Sequence, residues 1–193
     1  MDGVSETLDG LLERIANASP EAGGGAAAAL TGAVAAALVA MVGGVAARHS
    51  IDIDVRGIVS EADRLRAHLV TLIARDVEAF ARVVEARRRR DETRAGALRD
   101  ALVGATEVPL ELAAASARIL EQCVAVLPAA RPSTLADLGV AGALATAALE
   151  AAALTARANL DELDAPGFVA ESRRRLDQLL RDGAARRTRL PHA

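Results

Sequence analysis

The residues best placed to do chemistry are an aspartate inside an apolar helical stripe and a glycine-rich turn before a long uncharged run. Asp76 lies four residues after Leu72 and four before Phe80, so helical spacing predicts that its carboxylate points with these apolar side chains. A carboxylate on an apolar face is costly unless it is paired, hydrogen-bonded or used in catalysis. The pattern leaves two interpretations open, a buried ion pair with an arginine and a functional acid or base.

The second candidate is the turn at 19–25, with the sequence SPEAGGG, which runs directly into the uncharged segment 26–47. Pro20 favours an extended entry, and three glycines allow a sharp bend or the close approach of a ligand. The helix that follows begins with unpaired N–H groups, which can hold an anion or a polar ring. A tight turn beneath crowded helices explains the same residues, and the sequence alone does not separate the two interpretations.

Six helices are predicted to position these groups within a single domain, residues 1–193. Hydrophobic residues make up 52% of the chain, with only two Phe and no Trp or Tyr, and alanine dominates. Alanine and leucine favour helices, and small side chains let helix axes approach closely. Pro109 is expected to kink or break the fourth helix near Thr106. The predicted helices cover about residues 4–18, 26–48, 56–89, 93–126, 134–163 and 168–187.

Composition argues against several classes of function. The net charge is −3, and the arginine run 87–90 is followed at once by acids without interleaved aromatics, so nucleic-acid binding is not expected. Every basic residue is arginine, which excludes lysine Schiff-base chemistry. The three histidines and the one cysteine form no metal-ligand spacing, so no metal is expected.

The same composition indicates a cytoplasmic protein that does not enter a membrane. Cys123 has no partner within the chain, and its apolar neighbours predict a reduced, buried thiol. The segment 26–47 is long enough to span a bilayer, but alanine and glycine dominate it, so we interpret it as a buried helix of a soluble protein. The N-terminus has no basic lead and apolar run of a signal peptide.

Five motifs, in this order and spread over nearly the whole chain, resemble the cyclodeaminase/cyclohydrolase family, which acts on tetrahydrofolate derivatives. They are Ser19-Pro20-x-x-Gly23-Gly24-Gly25, Asp76-x-Glu78-Ala79-Phe80, Ala105-Thr106-x-Val108-Pro109-Leu110, Asp137-x-Gly139-Val140-Ala141 and Asn159-Leu160. The resemblance implies an all-α, up-and-down helical bundle of about five to six helices that forms a homodimer. It also implies that a folate binds near the glycine turn.

The resemblance also implies roles for particular residues. Without it, Thr134 and Asp137 would be interpreted as a capping box at a helix start. With it, Asp76 becomes the candidate proton shuttle and Asp137 a second catalytic candidate. The implied substrate-binding residues are Ser19, Gly23, Gly24, Gly25, Arg48 and Asn159, with Arg48 assigned to the glutamate tail.

The leading functional prediction is hydrolysis of 5,10-methenyltetrahydrofolate to 10-formyltetrahydrofolate. Cyclodeamination of 5-formiminotetrahydrofolate is the first alternative, because it uses the same geometry with ammonia as the leaving group. Some polar positions of the family pattern are changed here, among them Ser133, Ala136 and Thr155. These changes keep two more alternatives open, an enzyme acting on a non-folate imine or amidine and a non-catalytic dimerisation or partner-binding module.

Overall fold

The computed structural model describes residues 7–17, 22–48 and 54–191, and its regular elements within these ranges are helical. The prediction of an all-α bundle of five to six helices is confirmed. Two short 3₁₀ turns, Leu127–Ala129 and Pro132–Thr134, join the fourth and fifth α-helices. The α-helices are α1 (Leu8–Ala16), α2 (Gly24–Ala46), α3 (Val55–Arg88), α4 (Arg94–Val126), α5 (Leu135–Glu162) and α6 (Pro166–Arg187). The single domain over residues 1–193 stays a prediction.

The long helices α2 to α5 form an antiparallel four-helix bundle in which each packs against its neighbours in the chain and α2 closes against α5. Helix α6 packs on α4 and α5, and α1 is held by a small separate cluster around Leu11, Ala22 and Ala26. The main core is built from alanine, valine and leucine side chains of α2 to α6. Because small side chains dominate, the helix axes approach closely along their length.

Two local predictions differ from the structure. Helix α4 runs without a break from Arg94 to Val126 with Pro109 inside it, because tertiary packing on both sides outweighs the proline penalty. The predicted break near Thr106 is therefore wrong, and a kink there stays a prediction. Thr134 does precede α5, but its side chain does not cap the helix. Its hydroxyl donates to the carbonyl of Arg131 instead, so the predicted capping-box hydrogen bond is absent.

The two broad faces of the bundle differ in polarity. On the α3/α4 face, Arg75 pairs with Glu111 at 2.6 Å and Arg118 pairs with Glu61 at 3.2 Å. Hydrogen bonds from Arg64 and Arg118 lower the pKa of Glu61 to about 2. On the α2/α5 face the exposed side chains are instead mostly apolar, with Val34, Leu154 and others reaching solvent and Glu150 as a charged exception. This second surface is called the apolar face below, and its most exposed members are Val34, Met41, Val140 and Leu154.

In the part of the chain that the structure describes, two segments are long and apolar enough, by length and composition alone, to cross a membrane: α2 and Pro132–Glu162, which contains α5. Of the 18-residue apolar stretch in each segment, 50% in α2 and 44% in Pro132–Glu162 is buried inside the bundle. Core helices commonly satisfy the same criterion. The buried apolar residues of both helices are therefore explained by their place in the core. Their exposed apolar residues belong to the apolar face.

Candidate active site

A cavity of about 380 Å³ opens at the end of the bundle where α2 begins. Helix α3 contributes Asp76 and Phe80 to its wall, and the last turns of α5 contribute Thr155 and Asn159. The three glycines of the predicted turn form the wall between them. The up-and-down topology thus brings together residues that are more than 130 positions apart in the sequence.

Asp76 is held at the N-terminus of α2 by a backbone hydrogen bond. Gly23 is the N-cap residue of this helix and has no side chain to satisfy the first free N–H groups. The carboxylate of Asp76 accepts a hydrogen bond from the N–H of Ala26, the third residue of the helix. An N-cap side chain normally makes this contact, so Asp76 caps α2 from the neighbouring helix. The partner that the structure gives Asp76 is therefore backbone, and not the arginine of the ion-pair interpretation.

The pKa of Asp76 is raised above its ordinary value of 3.8, chiefly because burial disfavours the charged carboxylate. The N–H of Ala26 acts in the opposite direction and lowers it. The effect of burial on the pKa of Asp76 is therefore larger than the effect of the helix terminus. The result is a carboxylate of increased basicity beside a cavity, which is the property that a proton-transfer group needs.

Gly25 makes room for this carboxylate. A Cβ on Gly25 would overlap Oδ1 of Asp76 and would lie only 2.5 Å from Cγ and 2.6 Å from Oδ2. Among the described glycines none has a positive φ, and Gly24 and Gly25 belong to the first turn of α2. The prediction that residues before 26 form a loop is wrong at these two positions. Gly25 is needed for a close approach between two helices and not for a turn.

Asn159 is fixed by a hydrogen bond across two helices. Its Nδ2 donates to the carbonyl oxygen of Ala105 in α4 at 2.8 Å, and both residues line the cavity. Thr155, one turn earlier in α5, donates its hydroxyl to the carbonyl of Ala151. The side chain of Asn159 therefore has a defined orientation before any ligand binds.

A salt bridge lies at the rim of the cavity. Arg87, near the end of α3, places Nη2 2.6 Å from Oε2 of Glu162, at the end of α5. Both residues line the cavity, and both side chains are about half exposed. The sequence analysis missed this pair. In the sequence Arg87 is one of four consecutive arginines, and nothing there pairs it with a residue 75 positions away.

Two predicted site residues lie far from this cavity. Asp137 is in the first turn of α5, whereas Asn159 is in its last turn, and 22 helical residues separate them by roughly 33 Å. Arg48 follows the C-terminal end of α2, roughly 35 Å from Gly25 by the same rise per residue. The structure brings Gly23, Gly24, Gly25, Asp76 and Asn159 together and places Arg48 and Asp137 at the other end of the bundle. Ser19 lies outside the described residues.

Within the described ranges, no three His, Cys, Asp or Glu side chains are arranged to hold a metal ion. The absence of a metal therefore stays a prediction. Cys123 is buried in the core away from the cavity, and burial raises the pKa of its thiol to about 12. The cavity offers a carboxylate, a carboxamide, a hydroxyl and one ion pair. Proton transfer and hydrogen bonding are thus the chemistry available to these side chains.

The fold and this site define an all-α bundle protein with a half-buried carboxylate in a cavity at a helix terminus. A family model described as formiminotransferase-cyclodeaminase matches residues 7–178, and the chain belongs to that family. The resemblance drawn from the five motifs is confirmed.

Two individual relatives agree with this assignment. The chain is 33% identical over 196 residues to a protein of Methylorubrum extorquens named methenyltetrahydrofolate cyclohydrolase, covering 96% of this chain and 94% of the relative. It is also similar in fold to the crystal structure of formiminotetrahydrofolate cyclodeaminase from Thermotoga maritima, with a TM-score of 0.88 and 23% identity. That similarity covers 96% of this chain and 93% of the other.

Proposed function

We propose that this protein hydrolyses 5,10-methenyltetrahydrofolate to 10-formyltetrahydrofolate. The observation that carries the proposal is the half-buried carboxylate of Asp76, held in the cavity by the N-terminus of α2 with its pKa raised. The full-length similarity to a protein named as a cyclohydrolase supplies the substrate class. Water is the nucleophile of this reaction, and the groups available in the cavity suit proton transfer to and from it.

In the proposed reaction, water adds to the cationic methenyl carbon and a C–O bond forms. The carboxylate of Asp76 accepts a proton from this water. The tetrahedral adduct then collapses as the bond between the carbon and N5 breaks and Asp76 returns its proton to N5. The hydroxyl oxygen of the adduct loses its own proton to solvent as the C=O bond of the formyl group forms. The formyl group stays on N10, and the overall reaction releases one proton because a cation and water give an uncharged product at this centre. Asp76 thus acts as base and then as acid.

The charges around the cavity fit a cationic substrate. Asp76 and Glu162 are acidic and Arg87 is basic among the residues of the wall, and Arg87 is already paired with Glu162. Among the described residues of the wall, Asp76 is therefore the charge without an ion-pair partner. A positively charged amidinium group in the cavity would lower the pKa of Asp76 and stabilise its ionised form. Binding of substrate would in this way prepare the base.

The test is the loss of methenyltetrahydrofolate absorbance on addition of the protein, with the product identified by mass spectrometry. We expect 10-formyltetrahydrofolate to appear well above the buffer-catalysed rate. Ammonia release from 5-formiminotetrahydrofolate is measured in parallel, because the same carboxylate can serve cyclodeamination. Turnover of the formimino compound alone would replace the proposal by that alternative. Turnover of neither would favour the non-folate or non-catalytic alternatives.

Arg87 is our candidate for binding a carboxylate of the folate tail, in place of the predicted Arg48. It is the cation at the rim of the cavity, and its bond to Glu162 joins two half-exposed groups. Such exposed pairs contribute at most about 1 kcal/mol, so exchanging Glu162 for a substrate carboxylate costs little. A tail that leaves the cavity beside α3 would reach this guanidinium.

Replacing Arg87 with glutamine should raise KM about tenfold and leave kcat nearly unchanged, because a bond to a part of the substrate that does not react is lost equally in ground and transition states. Steady-state kinetics on the methenyl substrate measures both constants. Arg82→Gln is the matched control, since Arg82 lies on the same helix in an exposed pair with Glu78 and away from the cavity. An unchanged KM in Arg87→Gln would remove Arg87 from the binding site.

We also propose that the apolar face is covered by a second copy of this chain. Helix α2 has no charged residue, and the exposed residues of α5 from Val140 to Leu154 are apolar or alanine except for Glu150. Leu154 is 70% exposed, which is unusual for a leucine flanked by further apolar surface. Two such faces would pack apolar side chains together, with Glu150 as the exposed charge on this stripe of α5.

Leu154→Glu should convert the proposed dimer to a monomer, because a carboxylate would be buried without a partner in the interface. Sedimentation or light scattering gives the mass. Leu12→Glu is the control, since Leu12 is 48% exposed on α1 and does not belong to the apolar face. A wild-type protein that is already monomeric, or that partitions into vesicles through this face, would contradict the proposal.

The remaining assignments follow from the same proposal. A soluble folate enzyme with one buried thiol of raised pKa is suited to the cytoplasm, where thiols stay reduced. We propose no nucleic-acid or membrane partner.

A further inference from the structure

Pro109 and Asn159 are linked through one backbone carbonyl. In an α-helix the carbonyl of residue 105 accepts a hydrogen bond from the N–H of residue 109. Proline has no N–H, so Pro109 leaves the carbonyl of Ala105 without its partner inside α4. Ala105 is buried, and an unpaired carbonyl there would be costly. Asn159 of α5 supplies the missing donor at 2.8 Å.

This hydrogen bond decides which way the carboxamide of Asn159 points. A carbonyl oxygen only accepts, so the group that faces Ala105 must be the amide nitrogen and not Oδ1. The oxygen and the second amide proton then remain for whatever occupies the cavity that Asn159 lines. Without a fixed partner, the amide of a half-exposed asparagine would exchange between two orientations.

We infer that Pro109 is a positioning residue of the active site, which acts by freeing the Ala105 carbonyl so that the carboxamide of Asn159 is locked with Oδ1 available as a hydrogen-bond acceptor. The acceptor suits an N–H group of the substrate or a proton of the attacking water. The inference deepens the proposed function and rests on it for the kinetic part of its test. Pro109 itself need not touch the substrate, because its effect passes through the carbonyl and the amide.

The variant that tests this inference is Pro109→Ala. Alanine restores an N–H at position 109, which can bond to the Ala105 carbonyl within α4 and displace Asn159. Because proline is the least favourable residue in a helix interior, the variant should fold and its melting temperature should not fall. Its kcat/KM should drop roughly tenfold, the scale of one hydrogen bond lost from the reacting complex.

The kinetic signature separates positioning from a general structural role. We expect Asn159→Ala to change kcat and KM in the same proportions as Pro109→Ala. The double variant should be no worse than the poorer single variant, because both substitutions remove the same oriented amide. Pro128→Ala, in the 3₁₀ turn after α4, is the control for loss of a proline and should keep wild-type kinetics. If the losses of kcat/KM in Pro109→Ala and Asn159→Ala multiply in the double variant, the inference is overturned.

A spectroscopic readout tests the same inference without substrate. The side-chain amide protons of Asn159, assigned by their loss in Asn159→Ala, should show a hydrogen-bonded shift and slow exchange in the wild type. In Pro109→Ala both features should be lost, whereas in Pro128→Ala both should remain. Unchanged Asn159 signals in Pro109→Ala would overturn the inference. A wild type without methenyltetrahydrofolate turnover would contradict the proposed function, while the amide signals would still decide the role of Pro109.

Discussion

Replacing Asp76 with asparagine should lower kcat by about 10²- to 10⁴-fold, the usual loss when a positioned acid-base group is removed. Asparagine is nearly the same size, and its Oδ1 can still accept the hydrogen bond from the N–H of Ala26 that holds the carboxylate. The cap on α2 should therefore survive. What disappears is the ability to take a proton from water and return it to N5. The absorbance assay measures the loss directly.

The same substitution should make the protein more stable at neutral pH. The pKa of Asp76 is raised in the folded state above its ordinary value of 3.8, so the folded protein holds a proton that the unfolded chain has already released. The free energy of unfolding therefore falls as the pH rises from 3.8 through the raised pKa, and stays lower above it. An asparagine at this position does not ionise and carries no such penalty. A purely structural carboxylate would show the opposite sign, a loss of stability on substitution.

Thermal melting between about pH 3.5 and pH 7.5 tests whether Asp76→Asn is more or less stable than the wild type. The difference in melting temperature between Asp76→Asn and the wild type should be close to zero at the acid end and should become positive toward neutral pH. Asp63→Asn is the matched control, because Asp63 is exposed on the same helix and pairs only with Arg66, one turn away. A strongly destabilised Asp76→Asn at neutral pH would assign Asp76 to the architecture and not to catalysis.

The bundle was predictable because its elements follow from local patterns. The apolar periodicity of residues 56–89 predicted α3 to within one residue at each end, and the uncharged run 26–47 marked a central helix. The predicted break at Pro109 is the instructive error. A sequence rule about proline considers one helix, whereas the lost hydrogen bond is replaced here by Asn159 from another helix. Compensation of this kind depends on tertiary contacts that no local window contains.

The candidate site was predictable in its residue types and less so in its geometry. Asp76 was identifiable because a carboxylate on an apolar stripe costs free energy unless it is paired, hydrogen-bonded or used in catalysis. Its partner, the N–H of Ala26, carries no signal in the sequence, since every residue except proline has one. The grouping of Asp137 with the glycines came from motif order, and that of Arg48 from the family resemblance as a whole. Motif order does not distinguish the two ends of a long helix, and each of these helices spans roughly 35 Å or more.

Replacing Gly25 with alanine should reduce kcat by about 10²-fold or more, although no side chain of the proposed mechanism is changed. The new Cβ would overlap the carboxylate of Asp76, with Cγ at 2.5 Å and Oδ2 at 2.6 Å. The carboxylate must therefore turn away from the cavity and from the N–H of Ala26. Displacing a catalytic group by about 1 Å is enough for a loss of this size.

The stability of Gly25→Ala should change little, because two effects oppose each other. Losing the cap on α2 costs about 0.5–2 kcal/mol, and alanine in place of glycine within a helix contributes about 1 kcal/mol. Gly44→Ala is the matched control on the same helix. A Cβ there meets no atom within 4 Å, so this variant should keep full activity and gain stability.

Combining Gly25→Ala with Asp76→Asn separates the two roles that the glycine could have. If Gly25 serves only to seat the carboxylate, the double variant should be no slower than Asp76→Asn alone, because the group that the methyl displaces has already lost its function. If Gly25 instead leaves space for the substrate, Gly25→Ala should raise KM at unchanged kcat. Its effect on kcat/KM should then multiply with the effect of Asp76→Asn in the double variant. The second result would return the glycines to the binding role that the sequence first indicated. The first would make Gly25 part of the catalytic carboxylate's support, since the close approach of α2 and α3 depends on its missing side chain.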